Sequence, residues 1–219
     1  MEYTCKNIKI EILDGGSILI KGSIAIAIDP APDDSPYLLS QRISLVLVSH
    51  DHKNRLSSES LLQLNEITER ILVGGTKRMD EVWPPEKVMY VKPGVVMITP
   101  DVRIQVLPAH NVDKYKAPGI LYHPMATNGV GYVVLVDGTK LYYTGHTDKL
   151  PEMARIEDLD VLISPVSESA YLAPNEVAGV VSALDPTLIV PIYPKNKKLA
   201  TRLRRELVAT CDKMKAIKK

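Results

Sequence analysis

Short apolar runs broken by glycine and proline dominate the first two thirds of the chain. Residues 8–13, 17–21 and 24–28 have the composition of strands, separated by Gly15-Gly16 and by Gly22. Glycine at those points permits the positive φ of tight hairpin turns. Asp29-Pro30-Ala31-Pro32 ends the third run, and 44–48 supplies another strand. Ser57 to Ser60 reads as a helix start, with Leu61, Leu62, Leu64, Ile67 and Ile71 following at roughly helical spacing. Residues 71–73 return to strand before Gly74-Gly75, and 76–82 form a short helix stopped by Pro84-Pro85. Strands are then expected at 88–91, 95–98 and 102–107, a long loop at 108–128, and a hairpin of 130–137 and 140–143 around Gly138. A loop of that length inside a domain is usually functional or mobile. The last third alternates: strand at 161–163, helix at 175–184, strand at 187–192, and a final helix at 198–213 with Leu203, Leu207, Val208 and Cys211 on one face. Two clusters of strands, each closed by helices, predict two sheets packed face to face with helices outside.

The 219 residues suit a single domain spanning 1–219, with a basic helix and tail at about 195–219. Phenylalanine is absent, so Ile, Leu, Val and Tyr must fill the core. No basic-then-apolar leader opens the sequence and no apolar run is long enough to span a bilayer, which makes the cytoplasm the expected location. Cys5 and Cys211 lack a metal-binding spacing and read as reduced thiols, with a bond between them left open. From Lys195 onward ten Lys or Arg face only Glu206 and Asp212, so the rest of the chain is net acidic. A solvated helix face explains this basic end; contact with nucleic acid, an acidic partner or another subunit is the functional alternative.

The candidate chemistry lies in the histidines. The apolar run 44–48 leads straight into Ser49-His50-Asp51-His52. Two imidazoles two residues apart at a strand end fall on one side of the chain, forming half a site for a borderline metal such as zinc. The three remaining histidines, His110, His123 and His146, all follow or flank β-rich segments.

Taken together, Gly15-Gly16-Ser17, Ile28-Asp29-Pro30, Ser49-His50-Asp51-His52, Leu107-Pro108-Ala109-His110-Asn111, His123-Pro124, Gly131-Tyr132 and Tyr143-Thr144-Gly145-His146-Thr147-Asp148 resemble the metallo-β-lactamase superfamily. The likeness is to its branch of metal-dependent hydrolases related to ascorbate-phosphate lactonase. It implies an α+β fold, the four-layer αββα sandwich with a metal site along one edge. The family pattern His-x-His-x-Asp-His ends here in Asn54 and Arg55, its bridging aspartate is His146, its last histidine falls at or beside Tyr193, and its glycine-linked histidine is Gly16.

These departures remove the second metal position, because an amide, a cation, an imidazole and a phenol do not replace its ligands. The resemblance leaves at most one ion, zinc with Mn or Fe as alternatives. His50 and His52 would hold it, completed by His110 or His123, with His146 as a further ligand. Three imidazoles and a water make a hydrolytic site; four close it. Asp51 or Asp148 would accept an imidazole N–H. Arg55 would clamp an anionic substrate oxygen where the second metal is missing, or fill the space by pairing with Asp29 or Asp148. Tyr193 would donate a hydroxyl into the cleft or pack in the core. The expected function is hydrolysis of a small anionic ester, lactone or phosphoester, in a chain that need not act as a monomer. The alternatives are a catalytically inactive binding or assembly module and a nucleic-acid-processing protein.

Overall fold

The computed structural model describes residues 1–50, 63–75, 84–99, 102–192 and 196–210. The segment at 57–62, the helix expected at 76–82 and Cys211 lie outside these; residues 63–65 are helical.

One sheet contains β1 (Glu2–Cys5), β2 (Ile8–Ile12), β3 (Ile18–Lys21), β4 (Ala25–Ile28), β5 (Leu45–Val48), β6 (Arg70–Val73) and β7 (Val88–Tyr90), side by side in chain order. The first four are antiparallel, and β4 to β7 run parallel. The hairpins use their glycines differently from expectation. Gly16 has φ 96°, but Gly22 is not in the left-handed region. A Cβ at Gly22 would collide with the Asp137 carboxylate, so close approach is what that position requires.

The second sheet is built from β8 (Gly94–Thr99), β9 (Val102–Pro108), β12 (Val130–Val136), β13 (Thr139–Tyr143), β14 (Val161–Pro165) and β15 (Leu188–Ile192), in the order β15-β14-β13-β12-β9-β8. Pro191 is tolerated in β15 because that strand lies at the sheet edge. The long loop carries its own small ribbon, β10 (Tyr115–Ala117) against β11 (Ile120–Leu121).

Period-two alternation assigns each strand's faces. Leu45 and Leu47 of β5 enter the core between the sheets with Ile26, Ile28, Ile104, Tyr132, Val134, Leu141 and Ile163. Val46 and Val48 point the other way, onto Leu38 of α1 (Ser35–Leu39) and onto Leu64. Leu107, Val133, Tyr142 and Leu162 of the second sheet pack on α2 (Pro174–Leu184) and α3 (Lys197–Thr210). The order of layers is therefore helix, sheet, sheet, helix, the αββα sandwich. In α3 the buried stripe is Leu199, Leu203 and Leu207. Val208 was expected on it but is 57% exposed, because one residue advances a helix by roughly 100° and turns it off the Leu207 face.

Candidate metal centre

Where β5 and β13 leave their sheets, the two layers are fastened by buried hydrogen bonds. Tyr132 on the second sheet donates to the Val48 carbonyl at 2.6 Å, Val130 N–H to Ser49 O at 2.8 Å, and Tyr143 Oη to Asp29 Oδ2 at 2.7 Å. His50 follows β5 by two residues and His146 follows β13 by three, so this fastening brings imidazoles of different sheets together. His123 arrives from the 108–128 loop. Ligand atoms of His50, His123 and His146 all lie within 4.8 Å of one another. The ring centroids are 4.5 Å apart for His50–His146, 5.0 Å for His123–His146 and 5.2 Å for His50–His123.

Gly145 sets the bend that presents His146. Its φ is 66°, and a Cβ there would lie 2.6 Å from the Val130 carbonyl oxygen. Neither the left-handed backbone nor that approach suits another residue. Tyr171 then covers the ring of His146, stacked at 4.2 Å between centroids and 20° between planes.

The protonation of His50 can be read from its neighbours. Asp29 is 2% exposed and accepts three hydrogen bonds: Ser49 N–H at 2.7 Å, Ser49 Oγ at 2.6 Å and Tyr143 Oη. The single Ser49 hydroxyl proton is thereby committed to Asp29. Ser49 Oγ, 2.7 Å from His50 Nδ1, can only accept from it. Neutral His50 therefore carries its proton on Nδ1 and offers a lone pair at Nε2, the form a metal requires.

The donor set passes a second test. His146 Nδ1 and His123 Nε2 are 3.3 Å apart. Two nitrogens ~2.0–2.1 Å from a tetrahedral zinc would be separated by about 3.3–3.4 Å. Neutral imidazoles suit zinc, and among the described residues no carboxylate joins the group. These three residues would hold the ion. When bound, a divalent metal supplies Lewis acidity toward a substrate oxygen and lowers the pKa of water.

The remaining expected site residues fall differently. His110 is half-buried and does not belong to the group of three. Its backbone N–H donates to Thr147 Oγ1 at 3.1 Å, and its carbonyl accepts from Asp148 N–H at 3.0 Å, pinning the loop to the turn after His146. The next side chain, Asn111, is the one that reaches the cluster. Asp148, expected to accept from an imidazole, instead accepts from Asn111 Nδ2, Val112 N–H, Asp113 N–H and Lys114 Nζ. Burial pushes its carboxyl pKa up, but Lys114 and the other three donors outweigh that and hold it at about 2. Asp51, His52, Asn54, Arg55 and Tyr193 lie outside the described residues. Reading the sequence alone did not single out Ser49, Asn111 or Tyr171 as contributors. Only the Pro108-Ala109-His110-Asn111 motif placed Asn111 near a candidate ligand.

Comparison with known proteins bears on the whole chain. A metal-dependent hydrolase of the UPF0173 group from Pelotomaculum thermopropionicum is 23% identical over 212 residues, covering 84% of this chain and 83% of that protein. One from Archaeoglobus fulgidus is 25% identical over 196 residues, covering 84% and 82%. The Escherichia fergusonii protein named as probable L-ascorbate-6-phosphate lactonase UlaG is 22% identical over 179 residues, covering 72% of this chain and 50% of its own. Among solved structures, a Parabacteroides distasonis protein superposes with a TM-score of 0.75 at 21% identity, covering 94% of this chain and 95% of that one. Igni18, a metallo hydrolase of Ignicoccus hospitalis, gives 0.67 at 17%, covering 90% and 91%. These likenesses carry the fold. The model of the beta-lactamase superfamily domain matches residues 9–193, and the chain, folded as a metallo-β-lactamase sandwich, belongs to that family.

Proposed function

We propose that this protein is a metal-dependent hydrolase that works with a single ion, zinc or in its place Mn or Fe, on a small anionic ester, lactone or phosphoester. The observation that carries the reading is the convergence of His50, His123 and His146, two of them just beyond strands of different sheets and the third on the long loop. The names of the relatives point to the same chemistry. Two features favour a single ion. His146 stands where the family has a bridging aspartate, and the described members of the cluster are all imidazoles, with no carboxylate among them to bridge two ions.

A cavity of about 380 Å³ is the feature that would take an anionic group; it meets the cluster through Tyr171, and none of the three histidines lines it. Tyr171, which stacks on His146, forms one wall. Ser167, Ser169, Asn196 and Lys198 supply hydroxyl, amide and ammonium groups around it. Glu168 also lines the cavity, paired with Arg202 at 2.9 Å, and Lys198 is the one cation among the described lining residues.

The test strips the protein with chelator and reconstitutes it with Zn, Mn or Fe(II). It is then assayed on p-nitrophenyl phosphate, bis(p-nitrophenyl) phosphate, p-nitrophenyl acetate and a γ-lactone. Turnover of at least one substrate that needs the metal and disappears in both His50→Ala and His123→Ala is the expected result. A metal-loaded protein inert toward all four would favour the binding-module alternative, and equal turnover with and without metal would overturn the proposal.

A further inference from the structure

We propose that Asn111 is the positioning residue of the metal centre, holding His123 in the tautomer that presents Nε2, with Asp148 deciding which way its carboxamide faces. The role rests on the metal-centre reading above, although the geometry that defines it is independent of any ion.

Asn111 is 2% exposed, and its neighbours determine its orientation. One end of the carboxamide lies 2.8 Å from Asp148 Oδ1 and 3.1 Å from the Ala170 carbonyl oxygen. An ionised carboxylate and a carbonyl can only accept, so the NH₂ must be at this end. The other end meets the backbone N–H of His123 at 2.8 Å, which can only donate. Three partners therefore agree on the same orientation.

The oxygen so placed is also 3.1 Å from His123 Nδ1. An amide oxygen has no proton to give, so neutral His123 must carry its own on Nδ1 and leave Nε2 with a lone pair. Nε2 is the atom 3.3 Å from His146 Nδ1.

The support for Asn111 reaches back to α2. Lys114 Nζ bridges Asp148 Oδ1 at 2.6 Å and Glu176 Oε2 at 2.7 Å, with only 10% of its side chain exposed. Glu176, in the first turn of α2, also accepts from Ala173 N–H at 2.7 Å. His123 comes from a loop whose ribbon is largely exposed, yet its ring is tied through Asn111 and Asp148 to a core helix. Metal ligands depend on such outer partners, whose loss typically weakens metal binding by 10–100-fold.

The experiment reads the tautomer on metal-free protein. Long-range ¹H–¹⁵N imidazole spectra of ¹⁵N-labelled protein at pH 8, with His123 assigned from His123→Gln, should show protonated Nδ1 and bare Nε2. Asn111→Leu should lose that preference and bind zinc 10–100-fold more weakly. Asp148→Asn, which removes the charge that orients the carboxamide, should move both readouts the same way by less. A wild-type spectrum with His123 protonated on Nε2 overturns the proposal whether or not the variants fold. So does an Asn111→Leu protein with unchanged tautomer and zinc affinity. Because the tautomer is read without metal, absence of zinc binding by the wild type would instead count against the metal-centre reading.

Discussion

Replacing Asp29 by Asn should invert the hydrogen-bond chain that prepares His50. Asp29 adopts a left-handed backbone, φ 47°, which asparagine also tolerates, so the substitution acts mainly through charge and proton direction. In the wild type three donors converge on a buried carboxylate. With the asparagine NH₂ facing the two hydroxyls, Ser49 Oγ becomes an acceptor from residue 29 and turns its own proton toward His50 Nδ1. Neutral His50 is then protonated on Nε2 and offers no lone pair to an ion. The opposite amide orientation sets NH₂ against the Ser49 N–H, a donor facing a donor. Hydrogen bonds to a charged acceptor are worth about 1.5–3 kcal/mol and neutral ones about 1, so the metal-free variant should lose roughly 1.5–6 kcal/mol across the three contacts. Zinc affinity should fall 10–100-fold beyond that. Urea unfolding in the presence of chelator measures the first quantity, and competition with a chromophoric chelator the second. An Asp29→Asn protein that unfolds at a lower urea concentration but binds zinc within twofold of the wild type would refute the proton-direction argument and leave Asp29 a purely structural residue.

Other consequences are smaller or more local. Tyr143→Phe removes one of the three donors to Asp29 and should destabilise the protein by about 1.5–3 kcal/mol, measured by the same unfolding curve. Gly145→Ala combines a left-handed backbone with a Cβ against the Val130 carbonyl; it should cost at least about 2 kcal/mol and weaken zinc binding by displacing His146. The Asp148 carboxyl titrates lower in the folded protein than the ordinary value of 3.8, so its contribution of roughly 2 kcal/mol is present above pH 3.8 and fades as pH falls toward about 2. Asp148→Asn should therefore flatten the stability of the metal-free protein across that window, and an unchanged slope would argue against the Lys114–Asp148 pair.

The strands were readable because each buried face imposes its own periodicity. In β5, alternate residues serve two different cores, and the resulting unbroken apolar run still ends at His50. The meeting of His50 with His146 was harder to read, since it depends on two sheets being joined by Tyr132, Tyr143 and Val130 far along the chain. Choosing between His110 and His123 was beyond sequence spacing. His110 is fixed through its backbone to Thr147 and Asp148, and the loop's return, anchored by Asn111, delivers His123 instead. Val208 shows the limit of helical spacing at the edge of a stripe, where a single step changes burial to exposure.

Imidazoles that follow strands of the two sheets and one from the long loop are arranged to share one ion. Anomalous diffraction at the zinc edge, on crystals of zinc-reconstituted protein, locates that ion. The expected result is a single strong peak with ring nitrogens of His50, His123 and His146 each about 2.0–2.1 Å away. A peak elsewhere, or one that leaves any of these three imidazoles uncoordinated, would contradict it.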